Sequence, residues 1–329
     1  MRSIISIHCD SVQFKAYEHT TFSGCEFLKK EKIPNSAVKV ADQAFFGRMS
    51  LEKVEIPDSV TEIGKEAFFC CESLKEINIP PYVTKIGDHA FGGCRSLKEI
   101  HIPDSVTEIG ERAFSNCESL KEIRIPNSVT KIGDGAFRGC ESLKEINIPD
   151  TITKIGDHTF DSCESLTDID IPHSVTEIGY GAFCGCMSLK EMHIPDSVIK
   201  IGDYACSCCD FLKKVHISKS ATKIGYEAFS CCESLKEIII PDSVVIIEGY
   251  AFSHCHSLKK VRLSDSLMKI GTGAFYDCNS LKKIKIPDTV MIIGKDAFRV
   301  CNNLSEAVVP RNLKIDSAFM KKTKIIRRE

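Results

Sequence analysis

Eighteen cysteines and ten histidines are the side chains of this 329-residue chain best suited to chemistry, as nucleophiles, redox pairs or metal ligands. Their spacing argues against that use. Twelve of the cysteines, from Cys25 to Cys301, recur at every twenty-third position, with Arg48 as the one substitute. A thiol repeated at one position is a packing element, because a buried Cys behaves as a small hydrophobe. The remaining cysteines are Cys9, Cys70, Cys184, Cys206, Cys208 and Cys231. Cys206, Cys208 and Cys209, with Cys184 and Cys186 nearby, form the densest group, but of the two C-x2-C pairs of an ordinary zinc site only Cys206–Cys209 occurs. No Ser/His/Asp order, glycine-rich phosphate loop or H-E-x-x-H string occurs. The expectation is a non-enzyme, with no catalytic residue, no cofactor and no metal.

The elements that hold these residues share the same period. Leucine keeps it without a miss through thirteen repeats, from Leu28 to Leu304. Six residues before each lies a Phe, except at Cys206, and five residues after each an aliphatic residue, usually followed by Pro. In the unit that begins at Leu120, Ile123 and Ile125 alternate with Glu122 and Arg124 as a short strand does. Pro126 ends strand pairing, and Asn127 and Ser128 suit a turn. Val129 and Ile132 form a second inward pair, and Gly133 suits a reversal needing permissive dihedrals. Ala136, Phe137, Cys140 and Leu143 fit one face of a short helical turn. One unit cannot bury these side chains alone. Stacked at the ~4.8 Å strand spacing, thirteen units form a rod of roughly 60 Å. The fold class is therefore a β-rich solenoid. Residues 1–21 read as a degenerate N-terminal cap, 22–310 as the solenoid, and 311–329 as a C-terminal cap with a basic tail, in which Phe319 arrives two residues early.

A core repeated so closely leaves specificity to the exposed rows. The least regular row runs through Asn78, His101, Arg124, Asn147, Asp170, His193, His216, Ile239 and Arg262 to Lys285. His193 and His216 fall on adjacent coils, where a metal or pH-sensing pair is an option, and are read as solvated surface. Beside this row, Glu76 to Glu191 is a line of carboxylates, whereas Lys213 onward is basic, with Lys260 and Lys283. Such polarity would orient a partner with acidic and basic ends. The candidate protein-binding residues are Asn78, His101, Arg124, Asn147, Asp170, His193, His216, Ile239, Lys260, Arg262, Lys283 and Lys285.

The phrase IPDSVTEIGERAFSNCESLKEI, residues 102–123, resembles the BspA-type leucine-rich repeat, and the resemblance extends from about Phe22 to Pro310. It implies a right-handed arc with a parallel sheet on one face, and roles in protein–protein contact that include surface adhesion and host-protein binding. It supplies neither a catalytic residue nor a named partner.

Together these readings predict a monomeric, non-catalytic protein-binding scaffold. An adhesin is the first form, an intracellular adaptor the alternative, and a thiol or metal enzyme the third. The net charge of −2 gives no reason to expect nucleic acid or a membrane surface. No stretch reaches the length of a membrane-spanning helix or a clear export signal, and the many unpaired thiols favour a reducing, cytoplasmic setting over the cell surface. Asn303-Leu304-Ser305 is a formal glycosylation sequon, discounted because Leu304 belongs to the core ladder.

Overall fold

The computed structural model describes residues 28–315 and 317–328. The expected cap over 1–21, and Phe22 and Cys25 of the first repeat, lie outside these residues. From Leu28 onward the chain is a parallel β-solenoid with the leucine-rich-repeat fold, of about twelve turns. Most turns carry two short strands, such as Glu122–Arg124 and Lys131–Ile132. Strands pair in parallel with their counterparts one repeat away, as in Ile100↔Ile123 and Lys131↔Glu108. Two rows of parallel strands therefore run along the solenoid where one was expected, the first divided into five short sheets and the second into two. The second is built from the inward pairs, Val129 and Ile132 among them, whose intervening residues reach the neighbouring coil with their backbone.

The strand core follows from alternation. Glu122 and Arg124 are exposed while Ile123 between them is buried. Ile125, Val129, Phe137, Cys140 and Leu143 have no solvent exposure. Phe rings of successive coils lie nearly parallel, with centroids 5.4 Å apart at Phe91–Phe114 and 5.6 Å apart at Phe114–Phe137. Each ladder thiol donates to a carbonyl of the preceding coil, as Cys140 does to Phe114 at 3.2 Å and Cys117 to Phe91 at 3.3 Å.

The third side of the coil is not the expected short helical turn, and no helix occurs among the described residues. Two consecutive turns replace it. Arg112 and Asn116 adopt left-handed backbone, φ 49° and 55°, and the equivalent residues of other coils do the same. That geometry interrupts a helix every fourth residue. It also divides the amide groups. Ala113, Ser115 and Cys117 donate three residues back within the coil, to Gly110, Arg112 and Phe114, whereas Arg112, Phe114 and Asn116 donate sideways to Asp134, Ala136 and Arg138. A helix would keep these amides within its own turn; here half of them tie one coil to the next.

Gly133 also has a different cause from the one its sequence context suggests. Its φ is not in the left-handed region. A Cβ there would lie 2.4 Å from the Glu111 amide nitrogen and 2.6 Å from the carbonyl carbon of Gly110. The coil touches its neighbour backbone to backbone here, and a side chain on Gly133 has no room.

Departures from the repeat are compensated locally. Arg48 stands in the Cys ladder, and Glu31 stands at the inward strand position that pairs with Val54. The two form an ion pair of 2.8 Å, both largely buried, with the guanidinium 5.4 Å from the Phe45 centroid. Cys206 leaves a gap in the Phe ladder. Met192, longer than the Ile of most coils at its position, reaches into that gap, with its sulfur 3.3 Å from the Cys206 thiol. At the C-terminal end the last rung is shortened, since Glu306–Val309 pairs with Lys324–Arg327 in the register Glu306↔Lys324. Phe319, two residues early, still stacks on Phe298 at 5.0 Å. Arg327 holds this turn closed by donating to the carbonyls of Pro310, Arg311 and Leu313.

The exchange at Cys206 and Met192 is testable. Cys206→Phe alone overpacks the coil and should cost about 1–3 kcal/mol in urea unfolding. Adding Met192→Ile should recover most of that loss. A single variant as stable as the parent chain would show that Met192 does not fill the missing ring.

Candidate functional site

The first strand row of each coil sets the outer face. Alternation with buried Ile or Val exposes two side chains per rung, and parallel pairing aligns them into columns. All twelve candidate binding residues are exposed. They do not form a single site. Asn78, His101, Arg124, Asn147 and Asp170 line a shallow groove of about 1080 Å³ along the strand face. His193, His216, Ile239, Lys260, Arg262, Lys283 and Lys285 continue the face beyond it. The rings of His193 and His216 are 5.5 Å apart, and Ile239 is 59% exposed, an apolar side chain beside Arg262. Asn147 is committed to the fold. Its side chain accepts from the Ile125 amide at 3.0 Å and donates to the Ile125 carbonyl at 2.8 Å.

The groove ends where the strand row weakens. The rung at Asp168–Asp170 keeps only the bridge Asn147↔Asp170. Asp168 accepts a hydrogen bond from the amide of its own neighbour, Ile169, at 2.9 Å, a local bond that competes with strand pairing.

Charge separates the two strand rows. In the second row, acids and bases interleave and neutralise each other. Glu108 meets Lys131 at 2.8 Å and Lys85 at 3.2 Å. Glu177 meets Lys200 at 2.5 Å and Lys154 at 3.7 Å. Hydrogen bonds from Lys131 and Lys200 hold Glu108 and Glu177 below the usual carboxylate range. In the first row, Lys53 pairs with Glu76 at 2.6 Å and Lys283 with Glu306 at 3.3 Å. Between these ends Glu99, Glu122 and Glu145 stack directly on one another, with Asp168 in the next coil. Among the described residues no basic side chain ion-pairs with these four. Seven carboxylates face two cations, Lys53 and Arg124, in the groove lining. Toward the other end, Lys260, Arg262 and Lys285 are exposed cations with no ion pair among the described residues.

Burial makes most of the core thiols weak nucleophiles. Burial pushes Cys71 and Cys140 up to about 12 and Cys94 well above the usual thiol range. The dense cysteine group does not converge. Cys186 and Cys209 belong to the core ladder, bonded to Phe160 and Phe183. Cys206 faces Met192 in the core, while Cys184 and Cys208 are half-buried on the turn side.

Two features escaped the repeat analysis. Glu31 lies three residues after Leu28, where every other coil carries an apolar residue, and that anomaly marks the partner of Arg48. On the turn side, Tyr180, Tyr204, Tyr226 and Tyr250 form an aromatic column with ring centroids 5.2, 5.5 and 5.8 Å apart. Their sequence steps are alternately one longer and one shorter than the repeat, because they switch between two adjacent repeat positions. A search at the strict period misses them.

The chain matches the family model for the BspA type leucine-rich repeat region over residues 3–121, 107–236 and 222–328. No curated protein sequence matches it. Among solved structures, a leucine-rich repeat protein from Bacteroides ovatus is 29% identical, covers 97% of this chain and 100% of its own, and has a TM-score of 0.61. A leucine-rich cell surface protein from Faecalibacterium prausnitzii is 29% identical over 94% of this chain and 90% of its own, with a TM-score of 0.61. A leucine-rich repeat protein from Eubacterium ventriosum is 26% identical over 84% of this chain and 83% of its own, with a TM-score of 0.60.

The rows differ in what neutralisation should do. Glu122→Gln relieves like-charge stacking and should raise stability by about 0.2–1 kcal/mol. Glu108→Gln removes two ion pairs and should lower stability by up to ~1 kcal/mol. Because the Glu108 carboxyl is held low by Lys131 first, its contribution is present above the ordinary carboxylate range and is lost as pH falls through the lowered value. Thermal melts of both variants at neutral pH check this, and equal shifts of the same sign would contradict the distinction between rows.

Proposed function

The chain belongs to the BspA-type leucine-rich repeat family, and on that premise we propose that it is a non-catalytic scaffold that captures a protein on its first strand row. One observation carries the reading. The fold ion-pairs the lysines and glutamates of the second row, yet among the described residues leaves Glu99, Glu122, Glu145 and Asp168 stacked without ion pairs on the first. Like charges directly opposite one another destabilise a sheet, so the row is arranged against stability where it lines the strand-face groove. Violations of local consistency of this kind gather at functional surfaces. The partner presents a basic segment to the groove and an acidic one to the end that carries Lys260, Arg262, Lys283 and Lys285. Ile239, between the two, is an apolar anchor.

The Faecalibacterium relative is described as a cell surface protein, which supports the adhesin form of this reading. The sixteen free thiols among the described residues support the alternative, an adaptor in a reducing compartment.

Affinity capture with the intact chain, followed by mass spectrometry, tests the reading when two variants accompany it. Glu99→Lys with Glu145→Lys, or Lys260→Glu with Lys283→Glu, should abolish capture of proteins that the parent chain retains. Glu108→Lys with Lys131→Glu, on the second row, should leave capture intact. Loss only in the second-row variant would move the binding surface away from the groove.

A further inference from the structure

Beyond the binding face, the turn side of the solenoid brings together a set of donors that the scattered histidines of the sequence do not suggest. His254 and His256 belong to one coil, and Asp277 stands in the next coil at the position equivalent to His254. The Asp277 Oδ2 lies 3.2 Å from Nδ1 of His254 and 3.2 Å from Nε2 of His256. All three donor atoms lie within 4.8 Å of one another. With metal–ligand bonds of about 2.0–2.1 Å, the edges of a tetrahedral site are about 3.3 Å, so both measured separations match ligands already converged on a common centre. The three side chains are partly exposed, which leaves a path for an ion.

The surroundings orient Asp277 and place a charge beside His256. Asn279 donates its side-chain amide to Asp277 Oδ1 at 2.5 Å, leaving Oδ2 for the cluster. Asn302, one coil further, donates to the Asn279 oxygen at 2.8 Å and fixes that amide. Glu233, one coil before His256, places a carboxylate oxygen 3.7 Å from the Nδ1 of His256. At that distance Glu233 is a charged neighbour of the imidazole and not a hydrogen-bond acceptor that fixes its tautomer.

The geometry points to a zinc-class divalent metal site formed by His254, His256 and Asp277, bridging two adjacent coils and leaving a fourth position for water or an incoming donor. Borderline nitrogen and oxygen ligands in a three-residue set suit Zn²⁺ more than Ca²⁺ or Mg²⁺, which prefer oxygen. Because the ligands come from successive coils, the three-residue site exists only in the folded solenoid, where the ion ties the two coils together.

The test uses the full-length reduced protein, with zinc chloride titrated in competition with a chromophoric chelator. The parent chain should take up a zinc ion and show a raised thermal midpoint. Asp277→Asn and His254→Gln should each lose both effects while melting cooperatively without metal. Cys231→Ser, one coil below His254, should leave uptake unchanged. No uptake by the parent chain, equal uptake by the Asp277 and His254 variants, or loss in the Cys231 variant would each overturn the assignment.

Discussion

Backbone contact between successive coils is the constraint on which the rest of this structure depends. At Gly133 the preceding coil is so close that even a methyl group has no room. Half of the amides on the turn side are spent on the neighbouring coil, and each ladder thiol donates to a carbonyl one coil back. Every position is thereby placed over its counterpart in the adjoining repeat. A repeat protein held in this way is a sum of nearest-neighbour interfaces. A substitution within one coil must be answered within reach of that coil. Arg48 answers with Glu31, and Cys206 with Met192. The same stacking that builds the core also lines up the outer charges, and so decides which columns repel and which neutralise.

That alignment explains how one scaffold carries both a structural and a recognition face. The second strand row interleaves Lys and Glu and gains from it. The first row aligns Glu99, Glu122 and Glu145 and does not. Both arrangements arise from identical geometry, so the difference lies in residue choice alone. The weakening of the strand at Asp168 divides the face into an acidic groove and a basic extension. The metal-ligand set on the turn side depends on the same register, because Asp277 meets His254 only through vertical stacking.

The solenoid was legible because its signals are periodic: Leu, Phe, Cys and the inward Ile positions recur at a fixed interval that only stacked units satisfy. The outer rows were legible for the same reason, since alternation within Lys-Glu-Ile-Arg-Ile assigns faces. What did not read through was local backbone. Spacings of three and four among Ala136, Phe137 and Cys140 fit a helical turn and a pair of left-handed turns equally well, and only the sideways hydrogen bonds separate them. Gly133 looked like a dihedral requirement because the sequence carries no record of how close the preceding coil lies. The tyrosine column was hidden by its uneven steps. The His254, His256 and Asp277 set was hidden because its members differ in type at equivalent positions.

Quantitative thiol labelling of the reduced protein, native and then unfolded, bears most directly on the stacked architecture. Stacking predicts that the eleven ladder thiols from Cys71 to Cys301, and Cys206, stay unreactive until the chain unfolds, while the half-buried Cys70, Cys184, Cys208 and Cys231 label in the native state. Labelling of ladder thiols in the native protein, at rates like those of the half-buried ones, would contradict it.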